Sequence, residues 1–220
     1  MRLIHAFLII FLNTCLSSSI ANANLSLAVN KHGSREGILI VYDDGSLRLH
    51  KTSDGTGEVI IASGVTGLSG SLTHTLILKD DGTLWGYGMN NLGQQGNGTK
   101  EEPVEEPELI MDEVRTASLS SNGHTLVVKK DGSLWGMGYN SFGQLGIGKI
   151  EGHISTQDSF VPVRIIESGV KSVSAGDNHS LFIKEDGSLW GMGRGLPPLG
   201  SNIPLEIEKS GVLSASAGMD

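Results

Sequence analysis

The chain has 220 residues, 31 of them glycine, about twice the ordinary share. The glycines follow no Gly-X-Y period and 38% of the residues are apolar, which excludes collagen and wholesale disorder and points to a turn-rich globular protein. Sixteen bases against twenty-four acids give a formal charge of −8, the wrong sign for gripping nucleic acid or anionic lipid, and a lone cysteine, Cys15, rules out a disulfide scaffold or a cysteine-ligated zinc site.

Residues 1–23 read as a signal peptide. Met1-Arg2 is a short basic start, Leu3 to Leu12 is apolar except for His5, and the polar stretch beyond it ends in Ala21-Asn22-Ala23, a small-x-small cleavage site. The apolar run is too short to span a bilayer, so no stable membrane anchor is expected and the location read from the sequence is extracytoplasmic, periplasmic or secreted. A lipoprotein signal ending at Cys15 is the rival, but Asn13 and Thr14 stand where small residues are preferred. Cleavage after Ala23 removes Arg2 and no acid, so fifteen bases against twenty-four acids give a mature charge of −9. Residues 24–34 read as an N-terminal linker.

Residues 35–220 are organised by an internal repeat of about four copies. Each tryptophan sits in one phrase: Asp81-Gly82-Thr83-Leu84-Trp85-Gly86, Asp131-Gly132-Ser133-Leu134-Trp135-Gly136 and Asp186-Gly187-Ser188-Leu189-Trp190-Gly191, spaced by 50 and then 55 residues. Eight residues before the first glycine of each phrase stands a histidine, His74, His124 or His179, followed by an apolar run such as Leu76-Ile77-Leu78. A degenerate first copy, Ile38 to Leu47, has Arg48 in the tryptophan slot. The apolar run predicts one strand, Asp-Gly a two-residue turn with positive φ at its centre, and Leu-Trp-Gly-x-Gly the returning strand. A second turn is expected at Asn90 to Gln94 and at Asn140 to Gln144, then a segment Phe160 to Ile166 and a last strand from Gly169 to Gly176. Three or four strands per unit of this length is propeller spacing, whereas a helical solenoid could not carry so much glycine. Length variation falls on two segments read as loops, Glu101 to Glu108 and Gly148 to Ser159.

The phrases Asn178-His179-Ser180-Leu181-Phe182-Ile183-Lys184-Glu185-Asp186-Gly187-Ser188-Leu189-Trp190-Gly191-Met192-Gly193 and Trp135 to Gly148 resemble the repeat of the regulator of chromosome condensation family. The resemblance implies an all-β fold, a β-propeller with four-stranded blades, usually seven. The family's founding member is a nuclear guanine-nucleotide exchange factor on chromatin, a role not carried over to an acidic chain with an export signal. With four recognisable units, the expectation is a propeller or an open partial propeller of about four blades, whose end blades expose strand edges to pairing with another chain. The end of the chain, Gly211 to Asp220, matches Gly169 to Asn178 in register, so the chain is either truncated or uses its last strand to complete the first blade.

The recurring residues read as structural positions, with no catalytic, cofactor-binding or metal site assigned. The histidines are expected to satisfy a neighbouring turn or strand, and the tryptophans to pack between blades with the indole N–H satisfied locally. Gly86, Gly136 and Gly191 are expected to permit close backbone approach, and Gly82, Gly132 and Gly187 to form the turns. Gly143 to Ile150 nearly spells a phosphate loop but lacks the final Ser or Thr and a following helix. The Asp-Gly pairs lack the further ligands of a calcium loop. The function expected is a non-catalytic exported scaffold that binds an unidentified protein partner and needs no cofactor. Alternatives are a secreted enzyme inhibitor of the β-lactamase-inhibitor type, a carbohydrate-binding or hydrolytic propeller, or a remnant of a longer repeat protein.

Overall fold

The structure is a computed structural model that describes residues 27–30, 37–51, 57–71, 74–100, 104–150, 153–154, 157–195 and 200–218; the expected signal peptide lies outside the described residues. No helix occurs among them, so none is long and apolar enough to cross a membrane. Four antiparallel sheets of four strands follow one another along the chain. Blade one is β1 (Leu27–Asn30), β2 (Gly37–Val41), β3 (Leu47–Lys51) and β4 (Gly57–Ile61). Blade two is β5 (Val65–Gly70), β6 (His74–Lys79), β7 (Leu84–Gly88) and β8 (Val104–Met111). Blade three is β9 (Val114–Leu119), β10 (His124–Lys129), β11 (Leu134–Gly138) and β14 (Ser159–Ile166), with a small hairpin, β12 (Lys149–Ile150) and β13 (His153–Ile154), inserted before its last strand. Blade four is β15 (Val170–Ala175), β16 (His179–Lys184), β17 (Leu189–Gly193) and β18 (Ser201–Glu208).

The apolar runs are continuous because a blade buries both of its faces. Along β6, Ile77 turns towards blade one, in a cluster with Leu39, Leu47, Leu49, Val65, Leu68 and Tyr87. Its neighbours Leu76 and Leu78 turn the other way, towards Val114, Ala117, Val127 and Met137 of blade three. The same alternation puts Leu126, Val128 and Leu134 of blade three against Val170, Val173, Phe182 and Met192 of blade four. The apolar core is thus three slabs between blades, each built from two repeats, and no single repeat can close one alone.

Four local expectations are revised. The Asp-Gly turn is a three-residue connection in which only the glycine is left-handed: φ is 84° at Gly82, 81° at Gly132 and 81° at Gly187, while the preceding aspartates are not in that region. Lys79 N donates to Thr83 O and Gly82 N to Lys79 O, both at 3.0 Å, the turn-plus-bulge geometry of longer hairpins. The acidic run is not a loop, since from Val104 onward it is the outer strand β8. The strand at Val170–Ala175 opens blade four rather than ending blade three, because the outer strand of blade three is β14. Finally, β1 lies inside the segment read as a linker; it pairs with β2, whose inner edge would otherwise be left without hydrogen bonds.

Pro107, Pro162 and Pro204 occupy one register on β8, β14 and β18, each beside the residue paired with the Gly of Trp-Gly. Lacking an N–H, they suit an edge and hinder further pairing there. Beyond β18, residues 211–218 do not complete blade one. They lie against blade four as the innermost strand of a further blade would: Val212 N donates to Gly187 O at 3.0 Å, as Val170 N does to Gly132 O, and Ala217 N donates to Ser174 Oγ at 2.9 Å, as Ala175 N does to Ser118 Oγ at 3.0 Å.

Candidate functional site

Each tryptophan closes a small hydrogen-bonded unit at the turn end of its blade. In blade three, Asp131 Oδ1 accepts from Ser133 N at 2.8 Å and from Ser133 Oγ at 2.6 Å, and Ser133 Oγ accepts from Trp135 Nε1 at 2.9 Å. Asp81-Thr83-Trp85 and Asp186-Ser188-Trp190 repeat the pattern with Nε1 to Oγ distances of 2.8 Å. Those hydroxyl and amide donors hold Asp81, Asp131 and Asp186 below the usual carboxylate range. The indoles are half-buried and pack against the slabs towards the preceding blades. A cation lies over each, closest at Lys184, 4.2 Å from the Trp190 ring centroid. In blade one, Arg48 does the tryptophan's polar work: its Nε donates to Ser46 Oγ at 3.1 Å, while Ser46 N binds Asp44 Oδ1 at 2.8 Å.

The histidines stand at the opposite end, at the start of β6, β10 and β16. His124 Nε2 lies 2.9 Å from Ser180 Oγ of the next blade, and that hydroxyl donates to Gln144 O at 2.8 Å. Because the hydroxyl proton is committed to the carbonyl, the imidazole Nε2–H must be the donor to Ser180. His74, Thr125 and Gln94 form the same relay at 3.3 and 2.9 Å. Burial lowers both imidazoles from 6.5 to about 3, and for His124 the charges of His74 and His179 add to the effect. Both rings are therefore neutral at neutral pH and act as blade-to-blade struts.

The glycines complete the scaffold. A Cβ at Gly86 would run into the Gln95 side chain of the following loop, and one at Gly136 would come within 2.8 Å of Ile165 Cδ1 on the outer strand, so these glycines leave room for side chains of their own blade. Gly191 holds the corresponding place on β17, opposite Leu205. The predicted positions thus fall into separate rows, histidines at one end of the blades and Asp-Gly-Trp units at the other. No three of His, Cys, Asp or Glu approach closely enough to hold a metal ion among the described residues.

Several structural residues escaped the reading of single motifs. Thr125 and Ser180 follow their histidines directly, Ser118 and Ser174 receive the inner-strand amides, and Asn90 and Asn140, fully buried, accept from Gln95 N and Leu145 N at 3.1 and 2.9 Å. Their signal was a polar side chain recurring at one repeat position inside apolar surroundings. Beside the Asn140 turn, at the histidine end, Phe142, Gly193, Arg194, Gly200, Ser201, Asn202 and Ile203 line an open groove between blades three and four. There the Arg194 guanidinium lies 5.2 Å from the Phe142 ring centroid, Phe142 is exposed, and Asn202 Nδ2 is buried without a hydrogen-bond acceptor.

Comparison with known proteins agrees with this architecture. The family described as "Regulator of chromosome condensation (RCC1) repeat" matches residues 131–183, and a second form of it matches residues 65–94. "Protein RCC2 homolog" of Danio rerio is 35% identical over 68 residues, 31% of this chain and 13% of that protein. Among solved structures, Prp20p from Saccharomyces cerevisiae superposes with a TM-score of 0.67 at 21% identity, over 86% of this chain and 51% of that one. Human WBSCR16 gives 0.62 at 19% identity, over 83% and 54%. The chain thus spans about half the length of these solved chains, and its fold is that of their propellers. Residues 65–94 and 131–183 are thus repeats of the regulator of chromosome condensation type.

Proposed function

We propose that the protein is a non-catalytic scaffold, exported from the cytoplasm, that recognises another protein through the histidine end of its blades. The observation that carries this reading is how the recurring polar groups are used. The buried struts His74 and His124 and the Asp-Ser/Thr-Trp units are consumed in holding blades together, while Phe142 and Arg194 remain exposed in a groove with the unsatisfied amide of Asn202. Aromatic and arginine side chains are the usual anchors of protein recognition. Yeast Prp20 is known with Kap60 bound and has binding properties toward Gsp1p and histones, so protein binding has precedent on this fold. Export rests on the leader-like residues 1–23.

Two measurements test the proposal. The amino terminus of the protein recovered outside the cytoplasm should begin at Asn24; a cytoplasmic chain beginning at Met1 would refute export. Affinity capture from the envelope or medium should yield a partner that is lost with Phe142→Ala and with Arg194→Ala but kept with Leu213→Lys at the far end of blade four. Robust turnover against hydrolase substrates would overturn the scaffold reading.

A further inference from the structure

The loop at the histidine end of a blade occurs twice with one geometry, in blade two from Asn90 to Gly98 and in blade three from Asn140 to Gly148. Each seats its last glycine on the outer strand of the following blade: Gly98 N donates to Phe160 O and Gly148 N to Asn202 O, both at 2.8 Å. A Cβ at Gly93 would come within 2.7 Å of Phe160 Cα and one at Gly143 within 2.6 Å of Asn202 Cα, so Phe160 and Asn202 hold one slot. Tyr139 and Arg194 hold another, since Tyr139 N donates to Gly123 O and Arg194 N to Asn178 O, both at 2.9 Å. Between blades two and three these places therefore hold Leu92, Tyr139 and Phe160, and between blades three and four Phe142, Arg194 and Asn202.

The exchange replaces apolar groups by unused donors. Among the described residues Arg48, Arg115 and Arg164 each bond a carboxylate, with N to O distances of 3.1, 3.2 and 3.2 Å, whereas Arg194 bonds none. Its guanidinium lies over the Phe142 ring, which leaves the N–H donors along its edge free for a planar acceptor. Asn202 Nδ2 is buried without an acceptor, and so is Gln144 Nε2 on the Phe142 loop. The counterpart of Gln144, Gln94, donates to Asn91 Oδ1 at 3.4 Å, and Ser141 stands where that asparagine would be. No carboxylate lines the groove among the described residues, in a chain whose acids outnumber its bases by 24 to 16.

We propose that the groove between blades three and four takes the carboxylate of an aspartate or glutamate side chain on the protein partner. The proposal rests on the reading that this end of the blades recognises a protein, and it adds the class of residue recognised. Arg194 binds both carboxylate oxygens along its edge, Phe142 holds the guanidinium flat, and Asn202 donates to one oxygen after a turn about its soft terminal torsion. A lysine or arginine of the partner would instead meet Arg194 with like charge. Because the chain as a whole is acidic, the attraction is local, within the roughly 8–10 Å that salt leaves unscreened.

An array of random peptides, acetylated and amidated at their ends and probed with the full protein, tests this, beside a second array with free carboxy termini. The blocked binders should share an Asp or Glu, and exchanging it for Asn or Gln should weaken binding at least about tenfold in a fluorescence-polarisation titration. Arg194→Gln should cause a loss of the same size, and Arg194→Glu should turn the preference to peptides carrying Lys or Arg. Asn202→Asp, which gives Arg194 a carboxylate of the protein's own, should also weaken binding, whereas Lys171→Gln, which removes an exposed charge elsewhere, should not. Unchanged unfolding midpoints would show that each variant is folded. Affinity that is indifferent to the acid, or kept in Arg194→Gln, would overturn the carboxylate site, and binding of free-ended peptides alone would overturn the side chain as its source. No binding to acidic peptides would overturn it too, and a captured partner that still depends on Phe142 would then leave the scaffold reading standing.

Discussion

The slab between blades three and four and the face beyond blade four are cut from one template, yet only one of them is closed. Leu126 and Leu134 are wholly buried against Val170, Val173 and Phe182, while their counterparts Leu181 and Leu189, on the blade where residues 212–218 are seated, are only half-buried. Polar groups follow the same division. His124 reaches Ser180 across the closed slab, and Arg115 binds Glu185 at 3.2 Å and the Lys171 carbonyl at 3.1 Å. The difference teaches that a blade is a half-product: its two faces acquire a buried core and satisfied polar groups only when a neighbour supplies the rest.

The sharpest way to break the comparison is to truncate equivalent leucines. Leu126→Ala should cost roughly 2–5 kcal/mol in urea or thermal unfolding, and Leu181→Ala less than half of that, because its cavity is already open to water. Equal losses would mean that the outer face of blade four is as well packed as the inner slab.

Acid should attack the closed slabs next. His74 and His124 bind a proton near pH 6.5 when unfolded but only near pH 3 when folded, so between those values the unfolded state holds more protons. Their contribution is complete above about pH 6.5 and is lost as pH falls towards 3, at up to about 1.4 kcal/mol per pH unit for each group. His124→Gln should be less stable at pH 7 and should show a shallower loss between pH 6 and 4, read from unfolding midpoints.

A smaller effect separates blade three from blade one. Ser133→Ala removes the acceptor of a half-buried indole N–H and should cost about 1–2 kcal/mol. Ser46→Ala should cost less, because Arg48, its partner, is 37% exposed and can turn its guanidinium to water. The smallest effect has the opposite sign. Blade junctions at residues 64, 113, 169 and 211 all have positive φ, and only at 113, with φ of 54°, is the residue not glycine. Glu113→Gly should therefore stabilise by about 0.5–1 kcal/mol, since the exposed ion pair it gives up with Lys130 is worth little. Calorimetry would detect it.

Most of the blade was legible in the chain because its marks are local. Asp-Gly-Ser/Thr-x-Trp contains a turn, its hydrogen-bond acceptor and the indole it serves within five residues, and the apolar run before it declares a strand buried on both sides. The outer strand was not legible where its residues are charged: Glu106 and Glu108 look like a solvated loop, and they are strand because β7 offers them an edge to pair with. Nor did the position of a histidine disclose its partner, since Ser180 lies 56 residues away from His124.

The amino-acid sequence by itself determined the repeat, its turn chemistry and the residues that each blade reserves for a core, because those depend on neighbours along the chain. The tertiary structure alone decided which strand opens and which closes a blade, and which hydroxyl meets which imidazole. Those depend on contacts between segments some fifty residues apart, and only the stacked sheets bring such segments within van der Waals and hydrogen-bonding distance.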